Sequence, residues 1–329
     1  MTGKQSKNGL ARMSSALGAV ALIGAGLAGG VGVWAAEPIA PTLQTPTIHV
    51  LPWNGAKGAV SFTFDDGDKS QLSQAIPELD KRKIRATFFL HIGAIDDFGP
   101  WKQADAAGHE IGSHGVTHKH ITPADEERDV SLANTTLVDT FGHPIWSFAY
   151  PFCEAPASLQ QWVGKFHIVA RGGGGSGKEP DWLNLPAFIA TADKEIGPYQ
   201  TAINEALGNG SWSVFMFHGI GWGTGGLTVK TATLAAVLDY VQGKDLWVAP
   251  FGEVGAYARA QQIVEKAPAK TANNGTTWEW TVPAVFPKGV VLKIKVDSGK
   301  QLAQKEFVIK PDANGICLLR FDDGSASVK

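Results

Sequence analysis

Asp65 and Asp66, which follow the run Ser61-Phe62-Thr63-Phe64 and precede Gly67, and His114 and His118, which enclose Gly115-Val116-Thr117, are the residues of this 329-residue chain best suited to chemistry. Imidazole and carboxylate are ligand types for zinc and similar divalent ions, and two His with one Asp leave coordination positions open to water and substrate. Two adjacent carboxylates cannot share one environment, so one can ligate while the other keeps a lone pair for a proton. The chemistry these types allow is metal-assisted hydrolysis. The same donors would also serve a non-haem iron oxygenase.

The elements flanking these residues decide whether they can meet. Ala59–Phe64 is apolar and aromatic, which predicts a buried strand with Asp65 and Asp66 at its end and a turn at Gly67. The second Phe-Asp-Asp-Gly, Phe321 to Gly324, has no histidine after it and reads as a surface turn. His114 and His118 sit four apart, so one helical turn or tight loop can aim both rings at one point. His218 ends the run Trp212–Phe217, and a buried strand there would deliver it to the face that carries the aspartates. His91, His120, His143 and His167 have no partner pattern.

Two other motifs fail on inspection. Gly172 to Lys178 has the spacing that opens a phosphate-cradling loop, but Glu179 and Pro180 stand where a Ser or Thr and a helix are needed, which argues against a nucleotide. His109-Glu110 followed by His114 has the wrong spacing for a zincin helix.

Between Leu51 and Arg259, strand-like runs at Ala59–Phe64, Ala86–Ile92, Ser147–Tyr150, Phe166–Ala170, Ser213–Phe217 and Leu246–Ala249 alternate with helical patterns. Ser70–Lys83 and Thr231–Val241 each place three apolar residues on one face, and Thr122-Pro123 before Asp125 predicts the start of another helix. This alternation predicts a parallel sheet covered by helices, and the length is compatible with a barrel. Residues 266–275 lack periodicity and read as a linker. Residues 276–329 predict a small β module of about four strands, with a hairpin at Asp297–Lys300 and no clear aromatic platform beyond Trp278 and Trp280.

Composition bounds the setting. Lys4, Lys7 and Arg12 precede an Ala/Gly-rich apolar run from Ala16 to Val33, with small-residue cleavage offered before Ala36, so residues 1–35 read as a signal peptide. Its removal takes the formal charge from −2 to −5, leaves no basic patch for nucleic acid and leaves no stable membrane span. The expected location is therefore periplasmic or secreted. Cys153 and Cys317 are too few for a disulfide framework, although a single bridge between them would tie the barrel to the tail.

Thr63-Phe64-Asp65-Asp66-Gly67 and His114-Gly115-Val116-Thr117-His118, in this order, resemble the first two motifs of the polysaccharide deacetylases with the NodB-homology fold, carbohydrate esterase family four, over roughly residues 51–260. The resemblance implies a distorted, incomplete (β/α) barrel followed here by the β module. It implies Asp65 as general base, and Asp66, His114 and His118 as ligands of zinc, with cobalt, nickel or iron as alternatives. His218, in Met216-Phe217-His218, matches the family's general acid, and Asp181 would tune it. The backbone N–H of Phe152 would face the oxyanion, Trp182 with Met216 would wall the acetyl pocket, and Tyr150 would contact substrate. Where many members have Arg-Pro-Pro-Tyr-Gly this chain has Ala149-Tyr150-Pro151-Phe152-Cys153, so the arginine that braces the base is absent, with Arg85 as a substitute on family grounds.

The expected reaction is removal of acetyl from an N-acetylated, or else O-acetylated, sugar in a polysaccharide or oligosaccharide. The alternatives are a catalytically inactive carbohydrate-binding barrel, a hydrolase of small amides and the iron oxygenase. Loops at Gly172–Gly177 and Gly219–Gly226 would select the sugar.

Overall fold

A short strand, β1 (His49–Val50), leads into the central strand of the molecule, β2 (Gly58–Phe64), every residue of which is buried. The computed structural model describes residues 48–174, 180–223, 225–272 and 275–329, all within the compact unit Thr45–Lys329. The signal-peptide segment and residues 175–177 of the Gly172–Gly177 loop lie outside the described residues. Among the described residues, no helix is long and apolar enough to cross a membrane.

Strands and helices then alternate: α1 (Ile76–Lys81), β3 (Thr87–Leu90), α2 (Gly99–Ala106), β4 (Glu110–Ser113), α3 (Glu126–Phe141), β5 (Ser147–Ala149), α4 (Ala157–Val163) and β6 (Val169–Arg171). The second half continues with β7 (Phe188–Ile189), α5 (Ile196–Asn209), β8 (Trp212–Phe217), α6 (Thr231–Val241), β9 (Leu246–Val248) and α7 (Phe251–Glu265). The strands pair in parallel in the order β6-β5-β4-β3-β2-β8-β7. β9 pairs with Gly58–Val60 of β2, while β3 takes Thr63 and Phe64. The sheet is a curled, incomplete barrel of the kind the family resemblance implies. The interruption at β9 is where it departs from a regular one.

Period-2 alternation sorts the strand residues between two faces. Val60, Phe62 and Phe64 of β2, Phe88 of β3 and Phe215 and Phe217 of β8 face the helices and pack with Leu79, Leu137, Ile203 and Leu234. Ser61 and Thr63 face inward, where their hydroxyls donate to the carbonyls of Ala249 and Phe215. Phe89, Ala149, Val169 and Val214 share this second core with α7. Gly112 is required here, because a Cβ would lie 2.4 Å from the Phe89 ring.

Sequence patterning differs from the structure in several places. The helix predicted from Thr122 begins at Glu126, because Thr122 and Asp125 close a turn through backbone and side-chain hydrogen bonds. The strand predicted at Phe166–Ala170 starts at Val169, after Phe166 and His167 finish the turn that follows α4. Residues 266–275 are not a linker: β10 (Ala269–Ala272) pairs there with β11 (Gly275–Glu279).

The tail is also not a separate module. β12 (Val291–Lys295) pairs with β1 on one side and with β15 (Ile316–Arg320) on the other. β13 (Leu302–Gln304) and β14 (Phe307–Ile309), split by Lys305 at φ 49°, join β16 (Ser325–Val328), β11 and β10 in a second sheet. The turn at Asp297–Lys300 therefore links two sheets rather than two paired strands. Leu292, Ile294 and Leu319 share one core with Phe251, Tyr257 and Val264 of α7. Trp278 is buried, and Trp280 stacks on Phe321 and donates to its carbonyl, so neither forms a platform. The second Phe-Asp-Asp-Gly is a turn, with Asp323 paired to Lys305 and Arg320. Cys153 and Cys317 are both free thiols.

Candidate active site

Alternation along β2 sends Asp65 into the barrel beside Ser61 and Thr63, and Asp65 is 2% exposed. The last residue of β6, Arg171, is fully buried and donates from Nη2 to Asp65 Oδ1. Its other terminal nitrogen lies against the Met216 sulfur, and the guanidinium stands 5.2 Å from the Phe89 ring centre. One carboxylate oxygen of Asp65 is thereby held, and the other, Oδ2, lies 3.9 Å from His218 Nε2. Below them the Gln71 amide donates to the carbonyls of Asp65 and His218, joining the ends of β2 and β8.

Asp66 turns the other way. Its left-handed backbone, φ 71°, reverses the chain, so two consecutive carboxylates reach different surroundings. Asp66 Oδ1 lies 3.4 Å from His114 Nε2 and 3.3 Å from His118 Nε2, and the three ligand atoms fall within 4.8 Å of one another. His114 Nδ1 is 2.7 Å from the Ala149 carbonyl. A carbonyl only accepts, so Nδ1 carries the proton and Nε2 presents its lone pair to Asp66.

The loop after β4 that carries both rings is not helical. Asp129 of α3 shapes it by accepting from the N–H groups of Val116 and Thr117 and from the Thr117 hydroxyl. Gly115 has φ 74°, and a Cβ there would sit 2.4 Å from Asp129.

Burial acts to raise the Asp66 carboxyl, but the imidazoles of His114 and His118 against it, with His218 nearby, outweigh this and hold the group well below the ordinary carboxylate range. The same contact raises His118 against its partial burial. Crowded lone pairs of this kind require a positive charge between them, and Asp66 Oδ1 is a buried oxygen without a hydrogen-bond partner. Two imidazoles and a carboxylate converging on such a point fit a divalent ion.

His218 continues the inward face of β8 after Val214 and Met216, and its Nδ1 has no partner among the described residues. Phe152 has φ 56° and is half exposed, its ring against His118 at 4.8 Å and stacked on His120 at 4.3 Å. The bonds of its turn run from Cys153 N–H to Tyr150 and from Glu154 N–H to Pro151, and use neither polar group of Phe152. A cavity of about 310 Å³ lies beside the histidine loop, bordered by Val116, His120, Arg128 and Leu132.

Other expected residues are not brought to this centre. Asp181 is exposed and caps its own turn through Leu183 N–H, so it does not orient His218. Trp182 packs toward α7, its indole donating to Gln262, and cannot wall a pocket with Met216. Tyr150 is 1% exposed in a core with Val130, Phe148 and Leu159. Arg85 precedes β3, so it sits at the opposite strand ends, where it pairs with Glu253.

Sequence reasoning missed Arg171, Asp129 and Gln71. Only Arg171 left a signal, as a charged residue closing an apolar run at the end of the strands that carries Asp65.

Residues 54–169 match the family model described as polysaccharide deacetylase. The chain is 22% identical over 289 residues to a gellan lyase of Bacillus sp, which covers 76% of this chain and 11% of that protein. It is 30% identical over 103 residues to the polysaccharide-deacetylase-type protein YheN of Bacillus subtilis, covering 30% of this chain and 36% of that one. The chain thus spans little more than a third of these relatives' length at most. A family 4 carbohydrate esterase from Streptomyces lividans, solved with acetate, superposes with a TM-score of 0.40 at 18% identity, covering 58% of this chain and 91% of that one. The stretch that carries both motifs, residues 54–169, is thus the part of the chain that is similar to the polysaccharide deacetylases.

Proposed function

We propose that this protein is a metal-dependent hydrolase that removes acetyl from an N-acetylated sugar of a polysaccharide, with O-acetylated sugars as the second substrate class. The observation that carries this reading is Asp65, fixed by Arg171 through one oxygen and 3.9 Å from His218 through the other, next in sequence to a ligand of the Asp66, His114 and His118 cluster. The family match supports the acetylated glycan as substrate.

Zinc, or cobalt, nickel or iron in its place, would be held by Asp66 Oδ1 and the Nε2 atoms of His114 and His118. When bound, the ion supplies Lewis acidity to the attacking water and to the acetyl carbonyl. Asp65 Oδ2 takes the proton of that water, and Arg171 keeps the carboxylate aimed while it does so. The Phe152 N–H stabilises the charge that develops on the carbonyl oxygen. His218 Nε2 hands a proton to the departing nitrogen, without which the adduct would expel water instead.

Ala149 in place of an arginine is the feature that favours an inactive, sugar-binding barrel. Arg171 performs the bracing contact from a different strand, which supports the active reading. Release of acetate should be measured across peptidoglycan, chitin oligomers, poly-N-acetylglucosamine and acetylated xylan, before and after chelation. Loss of release on chelation and its return with zinc are expected. Undiminished release from metal-free protein would sink the scheme. We also propose export directed by residues 1–35, which N-terminal sequencing of the mature protein tests.

A further inference from the structure

A second cavity, of about 460 Å³, opens at the opposite end of the barrel from Asp65. Arg85, Glu110 and Trp146 border it from the starts of β3, β4 and β5, Trp247 and Glu253 border it from β9 and α7, and Lys288 closes it from the tail. Its size lies within the range of small-molecule sites.

The lining has a definite chemistry. Trp146 and Trp247 are both half-buried, and neither indole N–H has a protein acceptor among the described residues. The Trp247 ring is fixed edge-on against Tyr257 at 5.3 Å, and the Tyr257 hydroxyl donates to the Leu51 carbonyl and accepts from Lys293 N–H. The Trp247 ring is therefore held in place, and both indoles bring unused donors to the cavity.

Around them are planar polar groups. The Asn54 amide has no protein partner among the described residues. Arg85 and Glu253 form a two-pronged pair at 2.7 and 3.1 Å and neutralise each other while both remain partly exposed. Glu110 at the cavity floor is already held by Thr87, Ser147 and Gly252 N–H, which ties the floor to α7. A nearly neutral site with aromatic faces and in-plane donors and acceptors suits a ligand with an apolar C–H face and a rim of hydroxyls. An anion would instead require unpaired cations, and among the described lining residues only Lys288 supplies one.

We propose that this cavity binds a pyranose unit of a neutral glycan, separately from the catalytic centre. The tail is then part of a binding site built jointly with the barrel, and it holds polymer at the face away from the metal. The site goes beyond the proposed reaction and does not depend on it.

Affinity electrophoresis in gels containing neutral polysaccharide, and titration with hexasaccharides of N-acetylglucosamine, xylose and glucose, test it. At least one glycan should bind the intact protein. Trp146→Ala and Trp247→Ala should each weaken that binding at least tenfold while kcat/KM on a short soluble acetylated substrate stays unchanged. Trp247→Phe, which keeps the contact with Tyr257, should lose binding to an intermediate degree without loss of thermal stability. Equal binding by wild type and both alanine variants would overturn the proposal, as would binding of none of the three glycans. Retention that disappears with the tryptophans in a protein that releases no acetate would uphold this site and reject the proposed reaction. Metal-dependent acetate release with unchanged retention in the variants would do the reverse.

Discussion

Arg171 and Asp65 meet across the inside of the sheet, although β6 and β2 are separated in it by β5, β4 and β3. Neighbouring strands lie about 4.8 Å apart, so four steps on a flat sheet would separate these residues by about 19 Å. The ion pair therefore exists because the sheet curls, and it joins the edge strand to the centre. Removing Arg171 alone leaves a buried carboxylate without its counter-charge, which costs about 3–5 kcal/mol. Arg171→Met should show that loss in urea denaturation and a fall in acetate release of at least ~100-fold. Adding Asp65→Asn should restore much of the stability and none of the turnover.

Asp65→Asn by itself should lower turnover by about 10²–10⁴-fold while metal stays bound. His114→Ala should lose both, because it removes a ligand 2% exposed at the cluster. Metal content by elemental analysis and initial rates on one substrate separate the two variants.

Asp129 touches no ligand ring, yet it holds the backbone between them through Val116 and Thr117. Asp129→Ala should weaken metal binding by roughly 10–100-fold, the range seen when outer supports of a metal site are lost. A competition titration against a chromogenic chelator reads this directly, and unchanged affinity would mean the loop is fixed by other contacts.

His167 gives the fold a pH dependence of its own. Burial pulls its imidazole down to about 4, against the pull of its bond to the Ile145 carbonyl. In the unfolded chain the group titrates near ~6.5, so between these values the unfolded state binds the extra proton. Stability present above pH ~6.5 is then lost as pH falls toward 4, by up to about 3 kcal/mol. Urea midpoints at pH 7.5 and 5 should fall less for His167→Gln than for wild type.

Asp181 caps an exposed turn, so Asp181→Asn should change stability by no more than about 0.5 kcal/mol. The pH profile of acetate release should stay in place. A displaced basic limb would put Asp181 back beside His218.

The cluster of Asp66, His114 and His118 was legible because each ligand lies within a few residues of a strand end that its own sequence marks. Asp65 and His218 were legible for the same reason, as the alternation of β2 and β8 points them inward. The support of the base was not, because Arg171 reaches it across the barrel and no local pattern encodes how far a sheet curls. Arg85 was misplaced by one feature of parallel strands: a residue before β3 lies at the far end from a residue after β2. Trp182 and Asp181 followed family spacing, but Trp182 packs toward α7 and Asp181 lies in solvent. The segment at 266–275 looked unstructured because Ala, Lys and Thr hide a strand that is recognisable by its pairing with β11.

The pairing of β1 with β12 brings His49 and Val50 beside Lys295 and Ile294. The chain's first described strand thus waits for a strand of the C-terminal tail to be synthesised. Such a contact closes a very long loop, which makes it a late event in folding. The body cannot complete itself while its final segments are still on the ribosome, and a nascent chain remains open until then. If residues 1–35 direct export as proposed, that delay would be an advantage written into the order of the strands, because the chain would still be open when it is threaded through a membrane.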